Sequence, residues 1–172
     1  MGCRSKSAVL AVMLSIVALA ASSAQAASYE KLYGLLKDVK GWEAKKPEGM
    51  RMDMPGMKMI QATREYSNGK GNLNAMIMMG GAGSIGAYTQ QTKMNYEDED
   101  TKMSFKEIDG FKCHLLYDKK ENSGVVTVIV KPDEEEPGIF VLSYEGVSDG
   151  DALKIAREFD WKKIADKLKN FE

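Results

Sequence analysis

Five thioethers fall within ten residues of this chain: Met50, Met52, Met54, Met57 and Met59, set around Pro55-Gly56. Thioether sulfur is a soft, neutral donor, suited to Cu(I) and to the chemically similar Ag(I). A neutral donor needs no deprotonation, so such a site would hold metal over a wide pH range, unlike a thiolate site. Strand alternation puts Met50, Met52 and Met54 on one side. If Pro55-Gly56 is a two-residue hairpin loop, Met54 faces Met57 and Met52 faces Met59. Facing Cβ atoms would then stand about 4.5–5.5 Å apart. Arg51, Asp53 and Lys58 would line the other face. Pro-Gly prefers a type II turn, whereas two-residue hairpins prefer types I′ and II′, so the register depends on which preference yields.

The Met-x-Met and Met-x-x-Met spacings resemble the methionine motifs of exported copper-resistance and copper-chaperone proteins. Met50, Met52, Met54, Met57 and Met59 match those motifs, and the resemblance implies Cu(I) or Ag(I) as the ligand. No histidine lies nearby, which speaks against a Cu(II) site. Two other readings fit the same residues. Methionine fills irregular cores and adaptable interfaces, and alternation is also what a buried strand face looks like; Met76, Met78, Met79, Met94 and Met103 show the same free use elsewhere. Exposed methionines would also scavenge oxidants, since the thioether converts readily to sulfoxide.

Other chemistry-bearing patterns are weaker. Gly81-Ala82-Gly83-Ser84-Ile85-Gly86 fits the dinucleotide fingerprint literally, but that fingerprint needs a parallel βαβ unit and hairpins follow here. A glycine-rich loop is expected instead. Cys113 and His114 are neighbours on a predicted strand and so point to opposite faces. They cannot act as nucleophile and base, and Cys113 shares its parity with Phe111, Leu115 and Tyr117, a face that would bury it. Glu97-Asp98-Glu99-Asp100 and Asp133-Glu134-Glu135-Glu136 lack the ligand spacing and glycine of a calcium loop and read as solvated loops. No catalytic site is expected, and no resident cofactor beyond the Cu(I) or Ag(I) alternative.

The chain's start gives it an address. Arg4 and Lys6 precede an uncharged run from Ala8 to Ala20, and Ala24-Gln25-Ala26 supplies a small-x-small cleavage pattern. This is the form of a secretory signal peptide over residues 1–26, and its apolar run is shorter than the ~20 residues of a membrane span. Cys3 precedes the run, so it is not the cysteine of a lipoprotein signal. A periplasmic or secreted chain without a membrane anchor is expected to begin at Ala27. Cleavage leaves 22 basic against 25 acidic residues, a net charge of −3. No basic surplus exists to offset a phosphate backbone, so nucleic acid is not expected as a partner. Cys113 would remain alone, which excludes an internal disulfide.

These residues need positioning elements. Residues 27–172 make one domain's worth of chain. Ser28 can cap a helix to about Asp38 with Tyr29, Leu32, Tyr33, Leu35 and Leu36 on one stripe. Gly41 ends it, Trp42 opens an extended stretch, and Lys45 to Gly49 reads as loop or edge. Strands follow at Thr63–Ser67, Asn72–Met79, Phe105–Ile108, Phe111–Tyr117, Val125–Lys131 and Ile139–Glu145, with Asp109-Gly110 a type I′ turn. The end is helical, with a break at Asp160. The fold class is α+β: an antiparallel β-sheet covered by an N-terminal helix and a C-terminal helix. Gly41-Trp42, Asp109-Gly110-Phe111, Gly138 to Tyr144 and the terminal helix through Leu168 resemble the PsbP-like fold. That resemblance implies a PsbP-like sandwich with a non-catalytic extracytoplasmic binding or assembly role. The expected function is thus a secreted or periplasmic non-enzymatic binding or accessory module with a protein or small-molecule partner. The alternative is a periplasmic Cu(I)/Ag(I) buffer or chaperone.

Overall fold

The computed structural model describes residues 29–81 and 95–171. The expected leader and its cleavage site, the Ser28 cap, Met94 and most of the glycine run after Gly81 lie outside the described residues.

Short-range patterning produces an antiparallel sheet. Its strands are β1 (Glu43–Ala44), β2 (Glu48–Met54), β3 (Met57–Ser67), β4 (Asn72–Gly80), β5 (Tyr96–Glu97), β6 (Thr101–Ile108), β7 (Phe111–Asp118), β8 (Ser123–Lys131) and β9 (Gly138–Glu145). They run in the order β1-β3-β4-β9-β8-β7-β6-β5, with β2 on β3 along the same side as β1. The chain closes with helices α1 (Asp149–Glu158) and α2 (Trp161–Lys169). None of the described helices is long and apolar enough to cross a membrane.

Turn chemistry sets the registers. Asp109 and Gly110 both have positive φ, +52° and +81°, the type I′ pattern that matches strand twist. At Pro55-Gly56 only Gly56 is positive, at +80°, so proline keeps its type II preference. The two-residue hairpin forms regardless, because seven β2 residues from Glu48 to Met54 pair in unbroken register with β3.

One face of the sheet carries the main core. Ala62, Tyr66, Leu73, Ala75, Ile77, Cys113, Val126, Val128, Phe140 and Leu142 are buried there under the helices. Phe159 sits against Phe140 at 5.0 Å between ring centroids, and Trp161 meets Phe111 edge-on at 6.0 Å. Both helix starts are capped: Ser148 Oγ accepts from Asp151 N–H at 3.2 Å, and Asp160 Oδ1 from Lys163 N–H at 2.9 Å. The break expected at Asp160 is therefore a cap between two helices.

The N-terminal expectation needs correction. The α-helix reading from Ser28 to Asp38 gives way to a seven-residue 3-10 helix, Tyr29–Leu35. Gly34 weakens α-helix propagation, and Tyr29, Leu32 and Leu35 recur every three residues, the 3-10 period. Arg64 then clamps the following segment to the sheet. Its guanidinium donates to Leu36 O at 2.7 Å and Lys45 O at 2.8 Å and meets Asp38 Oδ1 at 2.6 Å. Strands also extend beyond their expected bounds: β3 starts at Met57 rather than Thr63 and β6 at Thr101 rather than Phe105, while of the stretch expected as loop or edge, Glu48-Gly49 belongs to the edge strand β2.

Candidate functional site

Alternation from the registers divides the sheet into two faces. Ala62 belongs to the helix-covered face, so its neighbours Gln61 and Thr63 point the other way, as does every β2 residue paired with an odd-numbered β3 residue. Met54 therefore stands opposite Met57 and Met52 opposite Met59, all on the face away from the helices. Met50 shares that face but lies opposite Gln61, not another methionine. The next strand adds Met78 opposite Gln61 and Met76 opposite Thr63. The structure thus brings all five expected methionines to one face of one hairpin.

Their environment is a rim. Met50 is 41% exposed and Met54 46%, while Met52, Met57 and Met59 are half-buried. Gly80 stands opposite Met59 and contributes no side chain, and a Cβ at Gly81 would come within 3.7 Å of Met59 Sδ. Two glycines thus leave that thioether room on its inner side. Arg51 and Asp53 occupy the other face, joined at 3.2 Å, and Lys58 stands opposite Asp53. From Met50 round the turn to Gln61, no ionised residue shares the methionine face of the hairpin; Glu48 joins that face only at the far end of β2. The donor set that the hairpin's methionine face offers at the tip is therefore thioether, with Glu136, Arg51 and Lys58 lining the cavity beside Met52 and Met59. Among the described residues, no group of three or more His, Cys, Asp and Glu is placed to hold a metal ion.

Cys113 and His114 are separated as alternation requires. Cys113 is fully buried on the helix side, and burial pushes its thiol up to about 12. His114 lies on the methionine side, 6.5 Å from the Phe105 ring, and its pKa is lowered by burial. It is three strands from Met76 in the same row (Met76, Val141, Thr127, His114), so it is no neighbour of the hairpin. The acidic runs are tied down. Lys119 pairs with Glu97 at 2.9 Å and Lys120 with Asp100 at 2.6 Å. Asp98 accepts from Tyr96 Oη and from the backbone N–H groups of Thr101 and Asp100, which holds its carboxyl below the usual range. Asp133 folds its own loop through the N–H groups of Glu135 and Glu136.

A concavity of about 680 Å³ at the opposite end of the sheet went unread in the sequence. Its lining includes Glu65, Asn74, Ser143 and Glu145, one from each of β3 and β4 and two from β9, with Ser123, Glu121 and Lys45 beside them. Its volume lies within the range of small-molecule sites. The available signal was the ends of these strands, where polar Glu65, Asn74, Ser143 and Glu145 take the pleat positions held further along by methionine, isoleucine and valine.

Comparison with known proteins finds no matching family, no similar curated protein and no similar solved structure.

Proposed function

We propose that this chain is an exported, non-enzymatic binding protein whose β2–β3 hairpin takes one Cu(I) or Ag(I) ion through about three thioethers. One observation carries the reading: the five hairpin sulfurs share the face turned away from the helices, with Met50 and Met54 exposed at its rim. That face also packs a small cluster at Ile139 and Val141, but Met50 and Met54 stand exposed beyond it. Soft neutral donors at a hairpin tip whose methionine face holds neither carboxylate nor imidazole favour a soft monovalent ion over Cu(II) or Zn(II). The leader-like start, Arg4 to Ala26, supports work outside the cytoplasm. The non-enzymatic part rests on Cys113, too buried to act as a nucleophile, and on His114, which faces away from it.

A second reading is favoured by the polar concavity: an accessory module on a PsbP-like sandwich, taking a protein or small-molecule partner there. Silver separates the two. Ag(I) titrated into the protein should shift the methyl resonances of Met52, Met54, Met57 and Met59 together and saturate at one equivalent. Changing these four residues to leucine preserves volume and apolarity, and such swaps usually cost less than about 1.5 kcal/mol each. The variant should fold and lose the response. Silver binding as tight in the leucine variant as in wild type overturns the metal reading, and an unfolded variant assigns the sulfurs to packing.

A further inference from the structure

Strand β2 pairs with β3 on one side, and no strand among the described residues pairs with its other edge. Which residues offer hydrogen bonds there follows from the ladder. Lys58 accepts from Gly81 N–H at 2.8 Å, so its carbonyl points toward β4 and away from β2. Backbone direction alternates along an antiparallel pair. Asp53, opposite Lys58, therefore turns its N–H and C=O outward, and so do Arg51 and Gly49. Exposed strand edges are ordinarily blunted by charged side chains, proline or a bulge. At the centre of this edge, beyond Glu48 at its start, the charges are of opposite sign and two residues apart, Arg51 and Asp53, flanking Met52. They can block a strand of one uniform charge and still match a second copy of themselves.

That arrangement is self-complementary. We propose that β2 is the seam of a two-fold dimer, in which β2 of a second copy adds antiparallel with Met52 on the axis. Arg51 of each copy then faces Asp53 of the other, twice by symmetry, as an isologous contact requires. The facing pairs are also the residues whose backbone groups point outward, so side-chain charge and main-chain hydrogen bonding select the same register. Moving the axis by one residue, to position 51 or 53, sets Arg51 against Arg51 or Asp53 against Asp53 of the second copy. Arg51 and Asp53 already meet within one chain at 3.2 Å, with side chains 37% and 52% exposed, so the exchange of partners needs little movement. On the other face Met50 meets Met54 of the second copy. The inference does not rest on the metal reading, because ladder and charges remain if every methionine becomes leucine.

One seven-residue strand makes a contact below the size of stable interfaces, so the dimer is transient, with Kd on the order of 0.1–1 mM. Sedimentation equilibrium on protein processed by its own host tests it. The weight-average mass should climb toward twice the monomer as concentration rises through that range. R51D and D53R, each alone, put like charges opposite one another and should weaken association at least tenfold. Mixed in equal amounts they should recover it, because each facing pair across the seam then joins one carboxylate to one guanidinium. The double variant R51D/D53R should recover it alone, since the two charges merely exchange places. A wild type that stays monomeric to about 1 mM, or single variants that associate as wild type does, overturns the proposal. So does a mixture that fails to recover association.

Discussion

Trp161 offers the sharpest test of the physical account, because two opposing effects meet in one side chain. It is the first residue of α2, 4% exposed, edge-on to Phe111 at 82°. Its Nε1 is buried without a hydrogen-bond partner among the described residues. Trp161→Ala removes the ring and leaves a cavity, at a cost of about 3–5 kcal/mol. Trp161→Phe also loses ring area, but it keeps an aromatic edge toward Phe111 and removes the unpaired donor. A buried unsatisfied donor costs about 1–3 kcal/mol, so relief of that penalty offsets the lost area, and the net change should lie within about 1 kcal/mol.

Urea unfolding followed by far-UV circular dichroism reads both variants. Trp161→Ala should also lower Tm by roughly 6–20 °C, at ~2–4 °C per kcal/mol for a domain of this size. If Trp161→Phe loses as much stability as Trp161→Ala, the unpaired indole donor carries no penalty and the reasoning fails. If Trp161→Ala loses less than about 1 kcal/mol, α2 is not part of the core.

Two further outcomes follow from titratable groups. Burial lowers the pKa of His114 below its ordinary 6.5, so the unfolded chain binds a proton that the folded one refuses. Stability should therefore fall as pH drops from about 6.5 through the lowered value and be indifferent to this group above about 7.5; His114→Gln should flatten that slope in urea midpoints measured from pH 7.5 to 5. Cys113, buried with its thiol raised to about 12, should resist iodoacetamide at pH 8 in the native state and react once urea unfolds the chain. Intact mass follows both states, and native alkylation at the unfolded rate would refute the burial.

Features decided within a few residues were legible in the sequence. Asp-Gly placed the β6–β7 turn, Asp160 placed the helix break, and parity buried Cys113 while turning His114 away. The Met54–Met57 and Met52–Met59 pairs follow from the two-residue loop once it forms. What escaped depends on distant partners. Residues 57–62 mix lysine and glutamine with methionine and alanine, and they become strand because β2 and β4 flank them on both sides. β1 and β5 are two residues each, too short for any period to mark. The pairing of β4 with β9 joins residues 72–79 to residues 138–145, and no local pattern announces it. Since the polar concavity is assembled across that joint, its residues could not be grouped beforehand.

The distribution of methionine bears on why the hairpin is rich in it. As an all-purpose filler, methionine should occur wherever packing is dense, on either side of the sheet. Among the described residues the helix-covered core is built largely from Leu, Ile, Val, Phe and Ala, with Met79 its methionine. The hairpin methionines, Met76, Met78 and Met103 all occupy the opposite face. Only part of that face is buried: Ile139 and Val141 anchor a small cluster with Met76, Met78 and Val125. Packing demand accounts for Met76 and Met78, which touch that cluster. It does not account for Met50 and Met54, which lie two strands away from β4, at the rim, where an antiparallel sheet normally turns polar side chains to water. A polar residue there would satisfy solubility, and leucine would satisfy burial. A soft, unbranched, neutral donor at that edge is what the proposed Cu(I) or Ag(I) site needs, and the proposed seam would bring Met50 of one copy to Met54 of the other.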